Sequence, residues 1–313
     1  MTELIHELLF CPLEEKGAFC PSFVESEKKN LIAAIEAQRN DKRQYAASQL
    51  ITYMCKGDSF GVARLGEPEQ VAEITPQALY AHYQKILRES PIEIFYVGAA
   101  APEQVKLLMT QLFFGLHRKV NLALAQSDFR DAGGGSYEEH LDITQGKLSM
   151  GFVTPVTLRH ELFVPMQILN TVFGSGMTSK LFMQIRERDA LCYDIGSGYH
   201  GSKGILTVAA GIDFDKMEKV QQQVLDALDQ CCQGQISDQE LRAAKQALLS
   251  SLRTTHDSPG AIENYYATAT LSGLRLTPEA YMEKVQQVTA RQVAEAACTV
   301  KLHTVFSLKG VGA

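Results

Sequence analysis

Helical stripes and short β-type runs alternate along the chain. Residues 27–35 carry a helical pattern. Residues 162–173 place Val164, Ile168 and Val172 at helical spacing, and residues 215–232 put Met217, Val220, Val224 and Leu228 on one stripe. Runs of β-branched and aromatic residues predict strands over 92–98 and 303–310, each ending in Gly. Residues 141–154 read as another strand. Residues 191–198 and 204–212 read as a hairpin turned at Gly201-Ser202-Lys203-Gly204.

The order of these elements repeats. Glu27 heads a helical run matched by Glu240, at an offset of 213 residues. Asn40-Asp41-Lys42 is followed, in the second half, by His256-Asp257-Ser258. Thr75 opens a helix as Thr289 does, 214 residues later, and Thr289 with Gln292 makes a capping box. Gly98 and Gly310, which close the two strands, are 212 apart. Landmarks in one order at a nearly constant offset mark two copies of one α/β unit. Asp131-Ala132-Gly133-Gly134-Gly135-Ser136 reads as the linker, giving domains at 1–130 and 136–313. The copies are unequal. The first begins, in residues 3–10, at the equivalent of the 215–232 helix, so it has no counterpart of the strands and helix in 136–214. The expectation is a partial first repeat (helices plus one strand near 92–98) and a complete second one. A sheet left open in this way exposes apolar edges, which calls for a partner, a swapped dimer or a truncated chain.

Composition narrows the class. No apolar run reaches the roughly 18 residues of a membrane helix, so no membrane partner is expected. A net charge of −6, with both signs interspersed, gives no basic patch for nucleic acid. The first residues lack the basic and small-residue features of a secretory signal. The seven cysteines are odd in number and form no C-x-x-C pair, so they are expected to be reduced, buried hydrophobes in a cytoplasmic protein.

Three runs in the second copy carry more specific information. They are Gln145-Gly146-Lys147-Leu148-Ser149-Met150-Gly151-Phe152, Gly174-Ser175-Gly176-Met177-Thr178-Ser179-Lys180-Leu181-Phe182, and Ile185-Arg186-Glu187-Arg188-Asp189-Ala190-Leu191-Cys192-Tyr193. With Thr304–Gly310, Glu27-Lys28 and Asn40-Asp41-Lys42, they resemble the pitrilysin/insulinase/mitochondrial processing peptidase superfamily over nearly the whole chain. The resemblance implies an α+β fold of two homologous α/β sandwich repeats, each a mainly antiparallel sheet with helices packed on it. It also implies a chamber for an unfolded peptide. Active members hold zinc on H-x-x-E-H, with two imidazoles one helical turn apart, and on a downstream glutamate.

None of the eight histidines has another four residues away, and the downstream ligand position, seven after Glu27, is Ala34. A methyl group cannot ligate zinc. The chain is therefore expected to bind no metal and no cofactor, and to be inactive alone. The resemblance assigns Arg186 and Tyr193 to substrate and transition-state binding in another subunit's zinc site: Tyr193 as donor to the oxyanion, Arg186 as holder of a backbone carbonyl. The partners implied are a homologous subunit with H-x-x-E-H and its zinc, and a peptide substrate; a homodimer is the alternative for the isolated chain. Two other functions remain open, a structural scaffold without proteolysis and a fragment of an active zinc peptidase. Other candidates read as structural: Gly174-Ser175-Gly176 as a turn, His140 as a solvated linker end, His200 as a hairpin residue, Ser258 as an N-cap before Pro259, and the 141–154 strand as a wall element.

Overall fold

A computed structural model describes residues 2–114, 116–120, 129 and 133–311. The chain divides into two units, Met1–Asn40 with Ala63–Ala125, and Asp41–Val62 with Gln126–Ala313.

The second unit is built on a five-stranded sheet in the order β3-β7-β4-β6-β5. Its strands are β3 (Gly135–Leu141), β4 (Gly146–Val153), β5 (Cys192–His200), β6 (Ile205–Ile212) and β7 (Lys301–Gly310). Only β3 runs parallel to its neighbour, β7; the other pairings are antiparallel. The α+β class and mainly antiparallel sheet expected from the sequence are therefore present. The strand expected over 141–154 is β4, shorter at its start, and β3 just before it is an additional strand that is not its neighbour in the sheet. β7 lies between β3 and β4, a long-range pairing that local periodicity cannot reveal.

Alternation along β4 sorts the two faces. Leu148, Met150 and Phe152 turn to one side. There they join Met166, Ile168 and Leu169 of α7 (Phe163–Phe173), Val220 and Val224 of α8 (Met217–Cys232), and Val293 of α12 (Ala290–Cys298) in the main core. The apolar stripe read from 215–232 is the buried face of α8. Between these helices lie α9 (Asp238–Arg253), α10 (Pro259–Ser272) and α11 (Pro278–Gln287). Capping by Ser237, Ser258, Thr277 and Thr289 starts α9 to α12, as the sequence indicated for Ser258 and Thr289.

The opposite face is covered by α3 (Lys42–Met54), although its sequence belongs to the first copy. Asp41 caps α3 by accepting from the N–H groups of Arg43 and Gln44. Ala46 and Leu50 close a cluster with Phe306 and Leu308 of β7. Tyr45 and Tyr53 each donate to a Glu139 carboxylate oxygen, at 2.8 and 3.2 Å. Gly151 lets α3 pack closely, because a Cβ there would lie 2.5 Å from the Met54 sulfur and push that side chain aside. A buried ion pair, Lys203 Nζ to Asp58 at 2.7 Å, ties the loop after α3 to the β5–β6 turn. The expected boundary at residue 130 is thus too simple: residues 41–62 belong with the second unit. Gly135 and Ser136, expected in the linker, open β3; Asp131 and Ala132 lie outside the described residues.

The first unit comprises α1 (Thr2–Phe10), a hairpin of β1 (Glu14–Glu15) and β2 (Ala18–Phe19), α2 (Pro21–Gln38), α4 (Pro68–Ala72), α5 (Pro76–Glu89) and α6 (Pro102–Leu112). The repeat is visible in the helix order: α2 to α5 match α9 to α12, and Thr75 caps α5 as Thr289 caps α12. The strand expected over 92–98 does not form. A strand exists only by pairing, and among the described residues of this unit none stands beside it.

One cysteine reading needs correction. Cys232 and Cys298, at the C-terminal ends of α8 and α12, form a disulfide with Cα atoms 4.8 Å apart. The packing of α12 on α8 brings them together, which sequence parity could not show. Cys55, Cys192 and Cys231 are buried thiols, as expected, whereas Cys11 is exposed and Cys20 half-buried, against that expectation.

Phe152 is fully buried at the centre of the sheet. Phe152→Ala is expected to lower unfolding free energy by about 3–5 kcal/mol, read from urea midpoints.

Candidate functional site

The segment between α7 and β6 departs from regular geometry three times within a few residues. Gly174 ends α7, and its carbonyl accepts the backbone N–H of Ser197 on β5 at 3.1 Å. The Ser197 hydroxyl donates to the Asn170 side chain at 2.7 Å. A Cβ at 174 would sit 2.7 Å from that hydroxyl oxygen, so only glycine permits the stitch. The Gly-Ser-Gly run is the turn that the sequence suggested.

Residues Leu181–Arg188 then form a π-helix. Such turns are rare and frequent at functional sites, because the widened spacing redirects side chains. Arg186 is on this turn. Its Nε donates to the Tyr193 carbonyl at 2.9 Å, its Nη1 lies 3.3 Å from Glu187, and its guanidinium carbon stands 4.7 Å from the Phe182 ring centre. Three contacts from one side chain, to three residues, fix a group that is otherwise mobile.

Ala190 follows with φ +48°. The left-handed region costs an alanine about 1–2 kcal/mol. The reversal brings Leu191 back so that its N–H donates to Ile185 at 3.0 Å. Next, the β5–β6 register slips between Cys192, opposite Ile212, and Asp194, opposite Gly211. Tyr193 is the extra residue of this bulge. A bulge re-aims one side chain without breaking the sheet. Here it turns the Tyr193 ring outward, 59% exposed, while Cys192 stays buried with its thiol pushed up to about 11 by desolvation.

The Tyr193 hydroxyl donates to Asp213 Oδ1 at 2.9 Å, and Lys216 Nζ donates to Asp213 Oδ2 at 2.6 Å. Asp213 holds the phenol above its ordinary range, first through the hydrogen bond and then through charge. Asp213 itself is held low, chiefly by Lys216 and then by Tyr193. Asp213 in turn raises Lys216. The phenol is therefore a neutral donor across physiological pH. Beside it, Arg43 of α3 lies 3.4 Å from Asp194.

Arg186 and Tyr193 are thus brought together, but through the Tyr193 backbone. Asp213 and Lys216 are the members of this cluster that sequence reasoning missed. The hairpin pairing held part of the signal, since Cys192 opposite Ile212 brings residue 213, the next along, to the same end of the hairpin as Tyr193. Of the other candidates, His140 lies on β3, bonded to Glu138 and the Gly310 carbonyl, each at 2.9 Å. His200 ends β5 with its ring 5.7 Å from Phe60. Ser258 accepts the Ala261 N–H as an N-cap.

The described residues do not fit a resident zinc ion. Ala34 offers only an exposed methyl group on α2. Among the described residues, no three His, Cys, Asp or Glu side chains gather as a ligand set.

The family description "Peptidase M16 inactive domain" matches residues 73–248. A Bacillus subtilis protein described as a probable inactive metalloprotease, YmfF, is 27% identical over 310 residues, spanning 98% of this chain and 72% of that protein. The crystal structure of a conserved protein from Enterococcus faecalis superposes with a TM-score of 0.92 at 27% identity, covering 100% of this chain and 74% of that one. A peptidase M16 inactive domain from Pseudomonas fluorescens shares the fold with a TM-score of 0.81 at 17% identity, covering 99% and 74%.

Ionising Tyr193 sets a phenolate against the Asp213 carboxylate, so Asp213→Asn is expected to lower the Tyr193 pKa in an ultraviolet titration. Tyr193→Phe removes the same transition. Gly174→Val is expected to cost about 1–3 kcal/mol through overpacking against Ser197 and Leu181, measured by thermal unfolding.

Proposed function

We propose, from the premise that this chain belongs to the peptidase M16 family, that it is a non-catalytic subunit that holds peptide substrate for a homologous, zinc-bearing partner. The observation that carries this reading is the Arg186–Tyr193 arrangement. A chain with no zinc ligand set among its described residues keeps a strained turn, a π-helix and a bulge around two donors turned to solvent. Backbone irregularity of this kind is costly and concentrates where side chains must be aimed.

The division of labour follows from the donor inventory. The partner supplies H-x-x-E-H, the metal and the attacking water, the chemistry this chain's residues cannot hold. Arg186 is anchored through Nε, and a guanidinium has five N–H donors, which leaves donors for a substrate carbonyl. Tyr193 is neutral and suited to donate to the developing oxyanion. Its hydroxyl must leave Asp213 to do so, and Lys216 remains to compensate the carboxylate. The substrate is a peptide short or unfolded enough to lie extended against the two donors.

The test is reconstitution with an H-x-x-E-H homologue. Tyr193→Phe is expected to lower kcat about 100-fold, in line with loss of one oxyanion donor, with KM little changed. The chain alone is expected to bind no stoichiometric zinc. A second reading has an observation in its favour: the Tyr193 hydroxyl is already engaged by Asp213. On that reading the chain is a scaffold homologue with no proteolytic role, and Tyr193→Phe leaves turnover unchanged.

A further inference from the structure

Two loops of the second unit enclose a groove of about 530 Å³ apart from the Arg186–Tyr193 site. One wall is the loop leading into α7, with Arg159, His160 and Glu161. The other is the loop from α10 to α11, with Arg275, joined by Lys284 of α11. Leu158, Phe163 and Leu276 give the lining its apolar part. The groove adjoins the end of β5, where the Tyr199 hydroxyl donates to the Val156 carbonyl at 2.6 Å, whereas Tyr193 is near the start of that strand.

Both walls are fixed by bonds that leave their cations unused. The Leu158 N–H donates to the Gly201 carbonyl at 3.0 Å, and the Tyr265 hydroxyl donates to the Leu276 carbonyl at 2.8 Å. Gly273 ends α10 at φ +74°, and a Cβ there would lie 2.7 Å from Arg159 Nη2. The guanidinium therefore rests against bare backbone. The Leu162 N–H donates to His160 Nδ1 at 3.0 Å, so a neutral His160 carries its proton on Nε2, as a donor. Among the described residues, no hydrogen bond or ion pair holds the side chains of Arg159, Arg275 or Lys284, and Glu161 pairs with none of them. Cations without counter-charge repel one another, and in a chain of net charge −6 their convergence on one groove does not follow from composition.

The charge balance selects the ligand. Three cations and one carboxylate leave the lining a formal charge of +2. One carboxylate would neutralise half of that. A phosphate monoester carries about −1.5 to −2 at pH 7 and presents several acceptor oxygens to the forked guanidinium groups. Inorganic phosphate alone would leave the apolar part of the lining against water, so the group needs an organic body. We infer that this groove binds a small phosphate monoester, with its phosphate among Arg159, Arg275 and Lys284 and its apolar body over Leu158, Phe163 and Leu276. Walls already held in place spare the complex the cost of ordering them.

The test is calorimetry on the full chain with phenyl phosphate as the probe, and with inorganic phosphate and benzoate as its separate halves. Phenyl phosphate is expected to bind once per chain, about 10-fold or more tighter than either half. Arg275→Gln and Lys284→Gln, both at exposed positions, are each expected to weaken it about 10-fold, the effect of losing one charge-assisted hydrogen bond. Arg291→Gln, which removes an exposed cation of α12 outside the lining, is expected to bind as wild type. So is Tyr193→Phe, which separates this inference from the peptidase reading. Absence of saturable binding at about 10 mM phenyl phosphate would overturn the proposal. Equally tight binding of inorganic phosphate would overturn it too, since no ester is then recognised. An equal loss in Arg291→Gln would do the same, by showing diffuse attraction to surface charge.

Discussion

A β-strand must satisfy its backbone along at least one edge and bury at least one face, and most of this protein follows from where that condition is met. β4 meets it fully, with antiparallel ladders to β6 and β7 on its two edges. Its helix-facing residues anchor the main core, and α3 closes its other face over Gly151. The segment over 92–98 has the same β-type composition as β7 and forms no strand. The contrast between these equivalent segments is one of surroundings, not of propensity.

The candidate site arises where the second unit breaks its own regularity. A sheet with perfect pairing would have set Tyr193 opposite a β6 residue with its side chain committed to one face. The bulge releases it, the left-handed Ala190 turns the chain into the bulge, and the π-helix lets Arg186 reach the Tyr193 carbonyl. Each departure costs free energy that the surrounding core offsets, through Leu181, Ile185 and Cys192, all buried. The rigid part of the site is therefore its backbone. The exposed part is the phenol, held at the surface by Asp213, which Lys216 braces in turn, where solvent weakens such bonds.

Much of this was legible from residues alone. The offsets linking Thr75 to Thr289 and Gly98 to Gly310 gave the repeat, because caps and strand ends are local features. The hairpin at Gly201–Gly204 and the stripe of α8 were equally local. The pairing of β3 with β7 was not, nor was the placement of α3 with the second unit, since both join residues far apart in the chain. The Cys232–Cys298 bond depends on helix packing for the same reason. Arg186 and Tyr193 stood out through family resemblance. Asp213 and Lys216 did not, because an aspartate three residues before a lysine at a helix start looks like ordinary capping chemistry.

The account turns on whether the Tyr193 side chain meets substrate in an assembled enzyme. A photo-reactive p-benzoylphenylalanine at position 193, irradiated in the reconstituted pair with a peptide, reads this directly. The account predicts a cross-link from position 193 to the peptide near its scissile bond, present only when the partner is present. Cross-links confined to this chain's own residues, with the peptide turned over elsewhere, would contradict it.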